Sequence, residues 1–132
     1  LMFELIWRYR FFYRDLNDLL SRNRKLELHF KLILAHKIKV ATQLCEDLRS
    51  EQSLEASDAE INAMATNMVV VATYWLSYEY VRNPRKYTEQ QAMADALARG
   101  CYQVLSQLAP YLRGETRVLF NKLSEDYLKK LK

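Results

Sequence analysis

Glycine and proline are scarce, two of each in 132 residues, and a sheet of many short strands needs more turn punctuation than that. Such a chain can build long helices with few breaks. Cysteine is equally scarce. Cys45 and Cys101 each fall inside an apolar helical pattern, where a free thiol behaves as a small hydrophobe, so a reducing compartment is expected. The longest strongly apolar run, Met68 to Leu76, falls far short of the roughly 20 residues that cross a bilayer. The N-terminal stretch carries Glu4, Arg8 and Arg10 in place of a signal-peptide pattern, so a soluble, cytoplasmic protein with no membrane partner is expected. Charge of one sign is not concentrated anywhere: the net charge is +4, but bases interleave with acids, which makes a solvated surface rather than a nucleic-acid footprint.

Motifs that carry chemistry are missing as well. A metal centre in a helical bundle needs carboxylates and histidines at facing positions, such as paired Glu-x-x-His sequences, and none occurs. His29 and His36 share a helix face two turns apart, too far along the axis to hold a metal unaided, and read as surface or boundary residues. There is no Gly-rich phosphate loop, no Cys-x-x-Cys and no nucleophile elbow. Neither cysteine has a readable base or electropositive helix start to activate it. The expectation is a non-enzyme with no catalytic residue, no metal and no cofactor.

What the chain does have is helical periodicity, enough for one domain over residues 1–132. From Phe3 to Leu20 apolar residues come so densely that the helix must be buried over most of its circumference. After the polar break at Ser21, Arg22 and Asn23, the spacing of Leu26, Phe30, Ile33, Leu34, Ile38, Ala41, Leu44, Cys45 and Leu48 predicts a long amphipathic helix. Ser50 to Ala56 is aperiodic. Ser57 with Glu60 makes a capping box that opens a third helix, which stops at Asn83 because Pro84 disfavours helix in the residue before it. Thr88 with Gln91 opens a fourth helix, extending to about Leu112 near Pro110 and Gly114, and a fifth ends in the basic tail Lys129, Lys130 and Lys132. The opening residues already belong to an amphipathic run, so the chain reads as a piece of something longer.

Aromatic loading is the feature that suggests a function. Trp7, Tyr9, Phe11, Phe12 and Tyr13 crowd the first helix, and Tyr74, Trp75, Tyr78 and Tyr80 the third. Aromatics at helical spacing can simply fill a core. They can also line an apolar cavity between helices, with Met64 and Met68 as adaptable walls. On that reading the lining comprises Trp7, Phe11, Phe12, Phe30, Leu34, Met64, Met68, Val71 and Trp75. Arg8, Arg10 and Arg14 lie among the first-helix rings, where a guanidinium stacks on a ring or neutralises an acidic ligand group; Arg14 with Asp18 at i+4 is equally a plain surface pair. The small-residue stripe Ala94, Leu97, Ala98, Cys101 and Leu105 on the fourth helix suits close helix approach, and five apolar-rich helices have more apolar face than one small core covers. A homodimer is expected.

The string WRYRFFYRDLNDLL (Trp7 to Leu20), with YWLSY at Tyr74 to Tyr78 and LAPYL at Leu108 to Leu112, resembles one branch of the TetR-type bacterial transcriptional regulators. The resemblance implies an all-α, five-helix regulatory domain that dimerises through a four-helix bundle, two helices from each subunit. By position, the third helix (about Ser57 to Arg82) and the fourth (about Thr88 to Leu112) become the dimerising pair, with Val70, Tyr74, Ala94, Leu97, Cys101 and Leu105 at the interface. It further implies a small apolar or aromatic effector, with an acid such as a fatty or aromatic acid among the fitting types, and repression exerted through an N-terminal helix-turn-helix not contained in this sequence. DNA would then be contacted only through that missing domain. Asn23 and Arg24 depart from the acidic residue and proline often found after the first helix in this branch. The alternative is a helical protein-interaction bundle with no small ligand.

Overall fold

A computed structural model describes residues 15–82 and 90–130 of the chain. They form five α-helices: α1 (Leu16–Arg22), α2 (Arg24–Ser50), α3 (Asp58–Arg82), α4 (Gln90–Ser106) and α5 (Gly114–Lys130). A 3₁₀ turn, Ala109–Tyr111, precedes α5, and the only extended pairing among the described residues is the isolated bridge between Leu54 and Leu112. The fold is all-α, as the scarcity of turn residues requires. Residues 1–14, with Trp7, Phe11 and Phe12, lie outside the described residues, as does the expected capping box at Thr88.

Each break has a local cause. Asn23 is extended (φ −139°, ψ 101°) and its side chain accepts a hydrogen bond from the Leu26 amide at 3.0 Å, so the polar break after α1 is itself the N-cap of α2. The capping box at α3 forms in both directions. The Glu60 amide donates to Ser57 Oγ at 3.1 Å and the Ser57 amide donates to Glu60 Oε1 at 2.9 Å. That backbone donor holds the Glu60 carboxyl below its ordinary range. The fourth helix stops at Ser106, well short of the expected Leu112. Pro110 disfavours helix in Ala109, and the chain tightens through Leu108 amide to Leu105 carbonyl and Tyr111 amide to Leu108 carbonyl bonds, both 3.0 Å. This shorter α4 lets Leu108 and Leu112 turn inward. Gly114 then takes φ +63°, a left-handed conformation that suits glycine at the start of α5.

Helix α3 is the axis of the molecule, packed against both α2 and α4. Ile61, Met64, Ala65, Met68, Val69, Ala72, Thr73, Leu76 and Glu79 are all buried, more of its circumference than a one-sided amphipathic helix would hide. Around its first half Cys45, Leu54, Ile61, Met64, Met68, Leu108 and Leu112 form one closed cluster, with Leu48, Val104, Tyr111 and Phe120 against it. Burial pushes the Cys45 thiol up, in keeping with a packing role, whereas Cys101 is exposed on α4. Backbone bonds stitch the loops at this end. Glu55 donates to the Tyr111 carbonyl and Arg113 to the Ser53 carbonyl, each at 2.8 Å. Arg49 reaches the Ala56 carbonyl and Asp58, and Arg117 reaches the Ala109 carbonyl. Among the described residues no helix is long and apolar enough to cross a membrane.

Candidate functional site

The second half of α3 is built differently, because its side chains border space instead of filling it. Between α1, α2 and α3 lies a cavity of 370 Å³ lined by Leu20, Ser21, Glu27, Phe30, Lys31, Leu34 and Tyr74. On the other side of α3, against α4, a second cavity of 400 Å³ is lined by Val70, Val71, Tyr74, Trp75, Tyr78 and Gln103. Tyr74 belongs to both. These volumes fall within the ordinary range of small-molecule sites, about 300–1,000 Å³.

The first cavity is apolar in its walls and charged at its rim. Phe30 is buried and Leu34 half-buried on α2, one turn apart, facing Leu20 of α1. Lys31 pairs with Glu27 at 3.3 Å across one turn of α2, with the lysine side chain largely in water, so this pair is weak and yields readily to a competing anion. Beyond the lining, nearly two turns along α2 from Lys31, Lys37 is half-buried and desolvation lowers its pKa.

Polar links concentrate where α3 meets α4. The Trp75 indole N–H donates to the Ala96 carbonyl at 2.7 Å. One α3 turn later the Glu79 carboxylate, 5% exposed, receives a two-pronged bond from Arg99: Nε to Oε1 at 2.8 Å and Nη2 to Oε2 at 2.9 Å. This pairing raises the Arg99 pKa further. Arg82 lies 3.9 Å from Glu79 and stacks over the Tyr78 ring at 5.6 Å, while the Trp75 and Tyr78 rings sit 5.0 Å apart. Tyr127 of α5 stacks on Tyr102 of α4 at 4.8 Å, and its hydroxyl is buried without a hydrogen-bond partner among the described residues; burial raises its pKa.

The residues singled out from sequence divide among these places. Phe30 and Leu34 line the first cavity, and Val71 and Trp75 the second. Met64 and Met68 belong to the closed cluster. Val70 and Tyr74, assigned to an interface, lie beside Val71 and Trp75 in the second cavity. On α4, Ala94, Cys101 and Leu105 are exposed and Leu97 is half-buried. The sequence reading missed Leu20, Lys31 and Gln103 at the cavities; Leu20 is one of many apolar residues in a dense run, and no signal distinguishes Lys31 or Gln103 from any other polar residue on a helix surface. On the expected fifth helix, α5, Val118, Leu119, Leu123 and Leu128 are all exposed. Leu119 and Leu123 fall on one stripe with Phe120 and Tyr127, at i, i+4 and i+3 spacing, while Val118 and Leu128 lie off it. With Ala98, Cys101 and Leu105 of α4, Leu123 borders a third cavity of 300 Å³. His29 and His36 are both exposed on α2, and no group of three or more potential metal ligands is gathered among the described residues.

Comparison with known proteins gives this arrangement its kinship. The family described as TetR, bacterial transcriptional repressor, matches residues 1–120. The crystal structure of a TetR-family transcriptional regulator from Marinobacter aquaeolei VT8 superposes with a TM-score of 0.80 at 25% sequence identity, over 95% of this chain and 57% of that one. The present chain thus spans little more than half the length of that regulator. No functionally curated protein matches it. An all-helical body with cavities on both sides of a central helix, matched over nearly its whole length, belongs to the TetR family of transcriptional regulators.

Proposed function

We propose that these 132 residues are the effector-sensing and dimerising part of the regulator, controlling DNA binding by a helix-turn-helix elsewhere in the protein and acting as a repressor. The function is binding, with no catalytic step. The observation that carries this reading is the 370 Å³ cavity at Tyr74, apolar in its walls, with Lys31 held at the rim by a solvent-exposed pair. Those features suit a small apolar or aromatic molecule bearing an acidic group, whose carboxylate would replace Glu27 as the partner of Lys31. Met64 and Met68, packed into the closed cluster, have no part in this site.

The dimer interface is the outward face of α4 and α5, with Ala94, Cys101 and Leu105 meeting Leu119 and Leu123. Two helices from each subunit would make a four-helix bundle, and exposure favours α5 as the second helix of the pair because its apolar row is otherwise open to water. Leu28, Leu32 and Val40 make a rival exposed row on α2. Native mass spectrometry of the purified chain tests both halves at once. A dimer carrying a small acid is expected, and Leu123→Glu should give monomer while Leu32→Glu leaves the dimer intact; the reverse pattern would move the interface to α2. Loss of the bound acid in Tyr74→Ala, with the dimer retained, would tie the ligand to the cavity, and retention of it would remove this site.

A further inference from the structure

We propose that Trp75, Glu79 and Arg99 are positioning residues that lock α3 and α4 into one mechanical unit, so that filling of the Tyr74 cavity is delivered to α4. The inference rests on the sensing function proposed for that cavity.

Apolar contact between helices is non-directional and lets one slide or turn against the other. A single directional bond would still leave a pivot. Here there are two, placed one turn apart on the same face of α3. The first runs from the Trp75 indole to a main-chain carbonyl, Ala96, so no flexible side chain on α4 takes up slack. The second is the planar fork of Arg99 on Glu79, which fixes orientation as well as distance. The Glu79 side chain is only 6% exposed, so salt screens the pair little and an unpaired carboxylate there is costly. Together the two links set both register and rotation.

Tyr74 connects the lock to the cavity. It is adjacent in sequence to Trp75 and forms part of the wall shared with Phe30 and Leu34. A molecule seated against Tyr74 displaces α3, and α4 must follow because the lock resists slippage. On α4 the same helix carries Cys101 and Leu105 on its outer face. Coupling of two sites through an element with a fixed geometry requires such a joint, and its removal should uncouple the sites without emptying either.

Hydrogen exchange read by mass spectrometry tests this on the chain as it stands, with 1-anilinonaphthalene-8-sulfonate as the probe, an aromatic anion of the proposed type. In the unaltered chain the probe should slow exchange in α3 and in α4, each by at least about 5-fold, the lower end of usual site-to-site coupling. In Arg99→Lys, which keeps the charge, loses the fork and touches neither cavity wall, the probe should slow α3 equally and leave α4 unchanged. Persistence of the α4 response in that variant overturns the lock, as does an α4 that never responds while α3 does. If neither helix responds, the sensing function of the cavity fails instead. The lock is then judged from Leu34→Trp, which fills the cavity from within: it should alter α4 exchange only when Arg99 is intact, and an equal change in the parent and Arg99→Lys backgrounds overturns the lock.

Discussion

The two halves of α3 do different work with similar residues. The first half, from Ile61 to Met68, is enclosed by Cys45, Leu54, Leu108 and Leu112, and the loops around it are tied by main-chain bonds. The second half, from Val70 to Val81, leaves Val70, Tyr74, Tyr78 and Val81 exposed, borders two cavities, and is held to α4 by Trp75 and by the Glu79–Arg99 pair. Non-directional packing that excludes water gives a rigid end. Open space braced by directional bonds gives an end that can admit a molecule and still keep its geometry. Local stability should follow the same division, with low-stability regions concentrated where function requires access.

Several substitutions would break or sharpen that contrast. The largest effect is expected from Ile61→Ala in the closed half, where the side chain is 1% exposed: a loss of about 3–4 kcal/mol in urea unfolding, transfer and cavity costs together. Tyr74→Ala in the open half, at 39% exposure, should cost under about 1 kcal/mol by the same measurement. Equal costs would erase the distinction between the halves. Next comes Glu79→Gln, which strands Arg99; about 2 kcal/mol is expected, below the usual loss for a buried pair because the Arg99 side chain is 31% exposed and partly solvated. A cost near zero would show that the open half is not braced by charge.

Smaller effects fall at the capping box that opens the closed half. Ser57→Ala should cost about 1 kcal/mol by urea unfolding. The Glu60 side of the box has a sign that can be worked out. Its folded pKa is depressed, so its contribution is present above the unfolded value of about 4.3 and is lost as pH falls through the lower folded value. A Glu60→Gln variant should therefore differ from the parent chain at neutral pH and converge on it in acid. Gln52→Gly should have the smallest effect and the opposite sign. Gln52 holds φ +64° without being glycine, and relief of that strain should stabilise the closed end by up to about 1 kcal/mol, seen as a raised Tm.

Helix number, the polar break at Asn23 and the capping box at Ser57 were legible in the residues because each depends on neighbours within one turn. The boundary of α4 was less so: Pro110 marked the region, but Leu108 and Leu112 turn inward only because the closed cluster lies there to receive them. For the candidate site, periodicity identified Phe30, Leu34, Val71 and Trp75 as inward-facing without saying what they face. Met64 and Met68 carry the same pattern and lie in solid packing. A helix buried on several sides gives one apolar signature for a core, a cavity wall and an interface alike, because all three remove the side chain from water.

The sequence by itself determined an all-helical domain, its breaks and its caps, since these follow from propensity and spacing along the chain. Only the tertiary structure decided that Tyr74 borders two cavities and that Glu79 meets Arg99 twenty residues away. It also decided that Leu119 and Leu123 of α5 are left exposed. Such pairings depend on how helices cross in space, and no residue encodes its distant partner through its own local preference.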